Sequence, residues 1–241
     1  MSFESGRKLS LVGSIIQVIM PVIIVITLVL FIISLFASMV TNNGLNPFSI
    51  FSSTYLVLLL ILIASGIVTL LGLILFLVGM QRLSRHYNDN SIFTSALYGF
   101  ILNLIGSGAS TAIYLVISLT GGFSTNSSTT VANTTVASGT QVIVAELAVF
   151  FVTFVLGVMS AVFYQRSFNH LAERSGKNNF KTVGLLYLLG EVLTIILVGP
   201  LLIWIAWIMA ATEFNSLKPT ELPPPTFNYT AYPYPPPPPP T

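Results

Sequence analysis

"QRLSRHYNDNSIF", residues 81–93, decides how this sequence folds. Before it, residues 9–81 form 73 consecutive positions without Asp, Glu, Lys or Arg. A second stretch of the same character, "QRSFNHLAERSGKNNF", occupies residues 165–180. Each starts with Gln-Arg, carries one histidine (His86, His170) and ends in Phe as the next apolar run begins. A bilayer span needs about 20 apolar residues, and charge inside it is costly. Long apolar runs separated by short charged islands therefore read as a chain that crosses a membrane several times.

Composition agrees. The chain is 54% hydrophobic and 7% charged, with mean hydropathy +0.89, against about 25% charged residues in an average soluble domain. A soluble fold leaves much of its surface wet and could not hide so much apolar side chain. Net charge is +2, which offers no basic surface for nucleic acid. There is no cysteine, so disulfides, thiol catalysis and thiolate zinc sites are excluded. The N-terminal apolar run, residues 11–40, is far longer than the roughly 7–15 residues of a signal-peptide core. It reads as an uncleaved first span, kinked at Pro21.

Spans are expected near residues 11–40, 54–80, 92–119 and 142–164, with a further apolar run at 182–212. Residues 120–140 hold 11 Ser or Thr among 21 positions and read as a flexible loop. The last run, taken as one helix, would be about 46 Å long against a hydrocarbon core of about 30 Å. Split at Gly199-Pro200 it gives two spans, near 182–198 and 200–213, with proline in the first turn of the second. The expectation is an all-α polytopic bundle of about six transmembrane helices, with five as the alternative. Residues 1–217 form the membrane domain. Residues 218–241 form a Pro-rich tail, extended or disordered; 11 of the chain's 14 prolines follow Glu213.

Eight of the nine basic residues (Arg7, Lys8, Arg82, Arg85, Arg166, Arg174, Lys177, Lys181) lie before the first span or in and beside the islands. The positive-inside rule makes these segments cytoplasmic, with the N-terminus, in a cell membrane. The Ser/Thr-rich loop is then exterior, where its sequons at Asn126 and Asn133 are accessible for N-glycosylation; a third, at Asn228, is usable only if the tail is exterior. The matching islands suggest repeated helical hairpins, with "EFNSL" at 213–217 as a third, degraded ending.

Residues 165–217 and the segment "RLSRHYNDNSIFTSALYGFIL", 82–102, resemble a family of small archaeal multi-pass membrane proteins, domain-of-unknown-function family nine-nine-six. The matching features include the Arg-Ser-Phe exit at 166–168, "GLLY" at 184–187 and "IAWI" at 205–208. Two features depart from the pattern: residues 22–55 look longer than the family's first hairpin, and Glu191 stands where an apolar residue is expected. The resemblance implies an archaeal plasma membrane and no activity.

Few residues carry chemistry. Glu191, about ten residues into the fifth span, and Glu146, near the outer end of the fourth, are the intramembrane carboxylates, with Asn103 or Gln17 as polar partners for Glu191. Glu191 suits a proton or cation relay, or a protonated carboxyl acting as packing glue. No catalytic set, metal site or cofactor motif is evident, and no enzyme activity is expected. Ser65, Gly72 and Gly79 recur every seven residues, and Gly106 and Gly108 cluster in the third span; both read as close-packing faces. Beyond the lipid bilayer, the expected partners are a membrane complex or a second copy, and a protein that docks the tail through its prolines and Tyr229, Tyr232 and Tyr234. The main functional expectation is a non-enzymatic scaffold or accessory subunit. The alternative is a small transporter or channel using Glu191.

Overall fold

The computed structural model describes residues 3–41, 53–119, 134–196 and 198–219. Among these, every regular element is helical: α1 (Phe3–Thr41), α2 (Ser53–His86), α3 (Asn90–Leu119), α4 (Thr134–Ser175), α5 (Asn179–Val192), a 3₁₀ turn (Leu193–Ile196) and α6 (Gly199–Ser216). Five stretches are long and apolar enough to cross a membrane, the fifth being α5 with its 3₁₀ turn. The sequons at Asn126, Asn133 and Asn228, and the tail from residue 220, lie outside the described residues.

Each helix packs on its neighbours in the chain, and α6 closes the ring against α1. The islands are helix rather than loop. α2 continues through Arg82 to His86 and α4 through Arg166 to Ser175. Each then reverses over three residues, 87–89 and 176–178, through one residue in the left-handed region: Asn88 at φ 52° and Gly176 at φ 69°. Asparagine and glycine are the residues that tolerate this conformation best.

The first turn is tied down by Asp89. Its Oδ1 accepts from the Ser91 amide at 3.0 Å and so caps α3. Its Oδ2 accepts from Arg174 Nε of α4 at 2.9 Å, and its carbonyl from Ser84 Oγ at 2.7 Å. Partial burial works to raise the Asp89 carboxyl, but hydrogen bonds from Arg174 and Ser91 and the Arg174 charge bring it below its ordinary value. A depressed native value means stability present above about pH 3.9, the ordinary Asp value, and lost as pH falls through the native value. Thermal stability in mild detergent is expected to weaken as pH falls below about 4. Asp89→Asn should remove about 1 kcal/mol or less of that dependence, because Arg174 is half exposed. Equal pH profiles for parent and variant would refute the link.

Three hairpins are held by three devices. α1 and α2 meet backbone to backbone: side-chain atoms at Gly13 would fall 2.6 Å from the Gly72 carbonyl, and at Gly72 2.5 Å from Ile16, while Gly79 lies against Ser10. α3 and α4 are joined by a hydroxyl ladder spaced by seven. Thr153 meets Ser110 at 2.5 Å, Ser160 Oγ donates to the Gly99 carbonyl at 2.7 Å, and Ser167 Oγ to that of Ile92 at 2.6 Å. In α5–α6, Gly199 sits on the Gly190 carbonyl. At the other end of that hairpin Asn179 Nδ2 donates to Glu213 Oε1 at 2.7 Å, and the Phe180 and Phe214 rings lie 5.1 Å apart. α6 therefore runs back along α5. The break between them falls over residues 193–198, just before Gly199-Pro200, because Pro200 has no N–H for the carbonyl four residues earlier and its ring crowds that position.

The best-buried core lies toward the island end. Phe76 of α2 is fully buried, and its ring lies 5.2–6.3 Å from those of Tyr164, Phe168, Trp207 and Phe214. Phe180 stacks on Phe168 at 6.1 Å. Aromatic pairs of this kind contribute about 0.5–1.5 kcal/mol each beyond area burial. They close the middle of the ring at this end. The outward faces carry exposed Val, Ile, Leu and Phe, as lipid contact requires.

Candidate functional site

Behind the aromatic plug lies a cavity of about 300 Å³ to which all six helices contribute. Its lining includes Gln17 and Pro21 of α1, Thr69 of α2, Asn103 of α3, Tyr164 of α4, Tyr187 of α5 and Trp204 and Trp207 of α6. The size falls at the lower edge of small-molecule pockets, about 300–1,000 Å³. Its walls are pinned. Gln17 Nε2 donates to the Thr69 carbonyl at 2.9 Å, and Trp204 Nε1 to that of Val18 at 2.8 Å. Tyr187 meets Tyr164 and Trp207 edge-on at 5.3 and 5.8 Å. No charged side chain lines the space.

Glu191 is not part of this lining. It stands one turn after Tyr187 and seats its carboxyl against α4 at Gly157, where a Cβ would lie 3.1 Å from Oε2. The expected partnership with Asn103 or Gln17 does not form: both line the cavity, and the Gln17 amide serves Thr69. Nor does Glu191 act as hydrogen-bonded glue, since among the described residues it makes no hydrogen bond. The glycine makes the room on α4 that a carboxyl needs. Glu146 is exposed on α4.

The small-residue faces divide. Gly72 and Gly79 lie at the α1–α2 contact, with Ser65 buried farther along the same helix, its hydroxyl on the Leu62 carbonyl. Gly106 meets Leu156 at an ordinary 3.4 Å. Among the described residues nothing lies within 4 Å of where a Gly108 Cβ would stand, so it makes no close contact within the chain. The α1 partners of α2, Gly6, Ser10 and Gly13, carry a signal of the same kind, small residues four and seven apart, which the sequence reading passed over. The ladder of Thr153, Ser160 and Ser167 carries one too, its seven-residue spacing, passed over together with Tyr164 and Tyr187. Among the described residues no three His, Asp or Glu side chains gather as a metal site. His86 packs on Phe3 at 4.8 Å, whereas His170 faces Asp89 at 4.0 Å.

A ring of long apolar helices around a small uncharged cavity defines a multi-pass helical membrane protein. The chain belongs to the family described as "Protein of unknown function (DUF996)", whose model matches residues 68–208. The match covers most of the cavity wall and leaves out Gln17 and Pro21, which α1 supplies. No curated protein and no solved structure matches the chain.

Proposed function

We propose that this protein is a non-enzymatic subunit of a membrane complex, a scaffold or accessory component that presents its Pro-rich tail to a cytoplasmic partner. The observation that supports this reading is where the last helix ends. The Leu217 carbonyl accepts from Arg7 Nη1 at 3.0 Å, so the chain leaves α6 at the end carrying both basic islands and the N-terminus. The positive-inside rule assigns that end to the cytoplasm. The plasma membrane of an archaeal cell is the setting the family resemblance implies. Extended Pro-rich segments dock into aromatic grooves at low entropic cost. The transporter alternative has no observation in its favour, since Glu191 faces Gly157 outside the cavity and the aromatic plug closes the ring.

Sidedness is tested with single cysteines in a chain that has none. Ser84 is unsuitable, being buried under Asp89, but Asn178 and Lys218 are exposed. Asn178→Cys and Lys218→Cys are expected to resist an impermeant thiol reagent on intact cells, while Ser127→Cys reacts. Opposite labelling at 178 and 218 would separate the tail from the islands and remove the tail reading. For function, tagged chains with and without residues 220–241 are purified from native membranes in parallel. A stoichiometric partner retained by the full chain and lost from the shortened one is the expected result. Identical composition of the two preparations contradicts it.

A further inference from the structure

Two spaces meet at the α1–α6 seam. The inner one is the cavity lined by Gln17, Asn103, Tyr164 and Tyr187. The outer one, about 340 Å³, is a groove bounded by Val22, Val25 and Ile26 of α1 and Leu201 of α6, all exposed apolar side chains. Pro21, Pro200 and Trp204 border both. Groove and cavity therefore adjoin, the groove apolar throughout and the cavity carrying a minority of polar surface. Pro21 has no N–H, so the Gln17 carbonyl lacks its donor four residues on.

The inner end also carries side chains without partners. Among the described residues the Asn103 carboxamide and the hydroxyls of Tyr164 and Tyr187 make no hydrogen bond, although the two tyrosines are only 2% and 6% exposed. These groups line the cavity and are open to whatever fills it. Neither space is lined by Asp, Glu, Lys or Arg. A charged head would enter without a counter-ion and lose its hydration.

We propose that the α1–α6 seam admits one uncharged membrane amphiphile, with its hydroxyl- or carbonyl-bearing head between Asn103, Tyr164 and Tyr187 and its hydrocarbon tail in the groove of Val22, Val25, Ile26 and Leu201. The head satisfies the orphaned groups, and the tail covers apolar wall that faces lipid. This assignment stands independently of any partner for the tail segment.

The probe is a diacylglycerol carrying a diazirine in one acyl chain, added to phosphatidylcholine vesicles containing the full chain. After irradiation, adducts are expected on residues 21–26 and 200–204. Excess unlabelled diacylglycerol should remove them, and the same amount of anionic phosphatidylglycerol should not. Tyr187→Phe keeps the ring contacts and removes one hydroxyl; labelling of the groove should fall about fivefold, the effect of one buried hydrogen bond. Asn103→Leu fills the inner space with apolar atoms and should lower labelling by at least as much. Adducts spread evenly around the outward faces, equal competition by both lipids, or undiminished labelling in Tyr187→Phe would each overturn the proposal. Thermal midpoints of the variants separate loss of binding from loss of fold; Tyr187→Phe remains decisive if Asn103→Leu unfolds.

Discussion

Gly79→Leu is expected to detach α1 from α2. A side chain at this position runs into the Ser10 hydroxyl and amide and comes within 2.9 Å of the Gly6 carbonyl. Two of these three obstacles are backbone, which cannot rotate away. Overpacking typically costs about 1–3 kcal/mol, and obstruction by backbone places this variant at the upper end. Gly66, on the same helix, has nothing within 4 Å of where a Cβ would stand. Gly66→Ala should therefore stay within about 1 kcal/mol of the parent, the scale of helix propensity alone. Thermal unfolding in detergent compares the two. Similar midpoints for Gly79→Leu and Gly66→Ala would mean that the α1–α2 contact is looser than these distances require.

Gly199→Val should disrupt the last hairpin. Its side chain would occupy the place of the Gly190 carbonyl and the Thr194 backbone. The α5–α6 reversal depends on that approach, since the turn between the helices is short. The only tryptophans, Trp204 and Trp207, are both in α6, so intrinsic fluorescence reports on this element. A red-shifted emission and a midpoint lower by about 3 kcal/mol equivalent are expected. A native spectrum with an unchanged midpoint would show that Gly199 has room the structure does not give it.

Much of the architecture is legible in the sequence because lipid imposes it. Charge can reside only where the chain leaves hydrocarbon, so Arg82, Arg85, Arg166 and Arg174 mark the reversals. Gly199-Pro200 marks the last one, where glycine permits the close approach and proline opens a helix in its first turn; Pro21 alone leaves α1 continuous. The seven-residue spacing of Ser65, Gly72 and Gly79 marks one face of α2, but not what it meets. That requires the relative register of two helices, which the spacing on α2 alone does not carry; α1 offers its own stripe in Ser10, Ser14 and Gln17, all buried. The same gap explains Glu191. Its place in the chain is plain, but which way it faces depends on how α5 is turned between α4 and α6. Gly108 likewise records freedom to approach and not which neighbour it meets. The cavity is the least legible feature, because its lining is gathered from six helices with at most four residues from any one.

Closure of the ring by its first and last helices sets an order on biogenesis. The bonds across the α1–α6 seam join Val18 to Trp204 and Arg7 to Leu217, across 186 and 210 positions of chain. Among the six described helices α1 is made before the others, yet its second neighbour is α6. A nascent chain halted after α4 is an open crescent, with the inner faces of α1 and α4 turned to lipid or to an insertion chaperone. Only the arrival of α6 completes the wall. Quality control that senses the open seam would thereby inspect the whole chain at a single point.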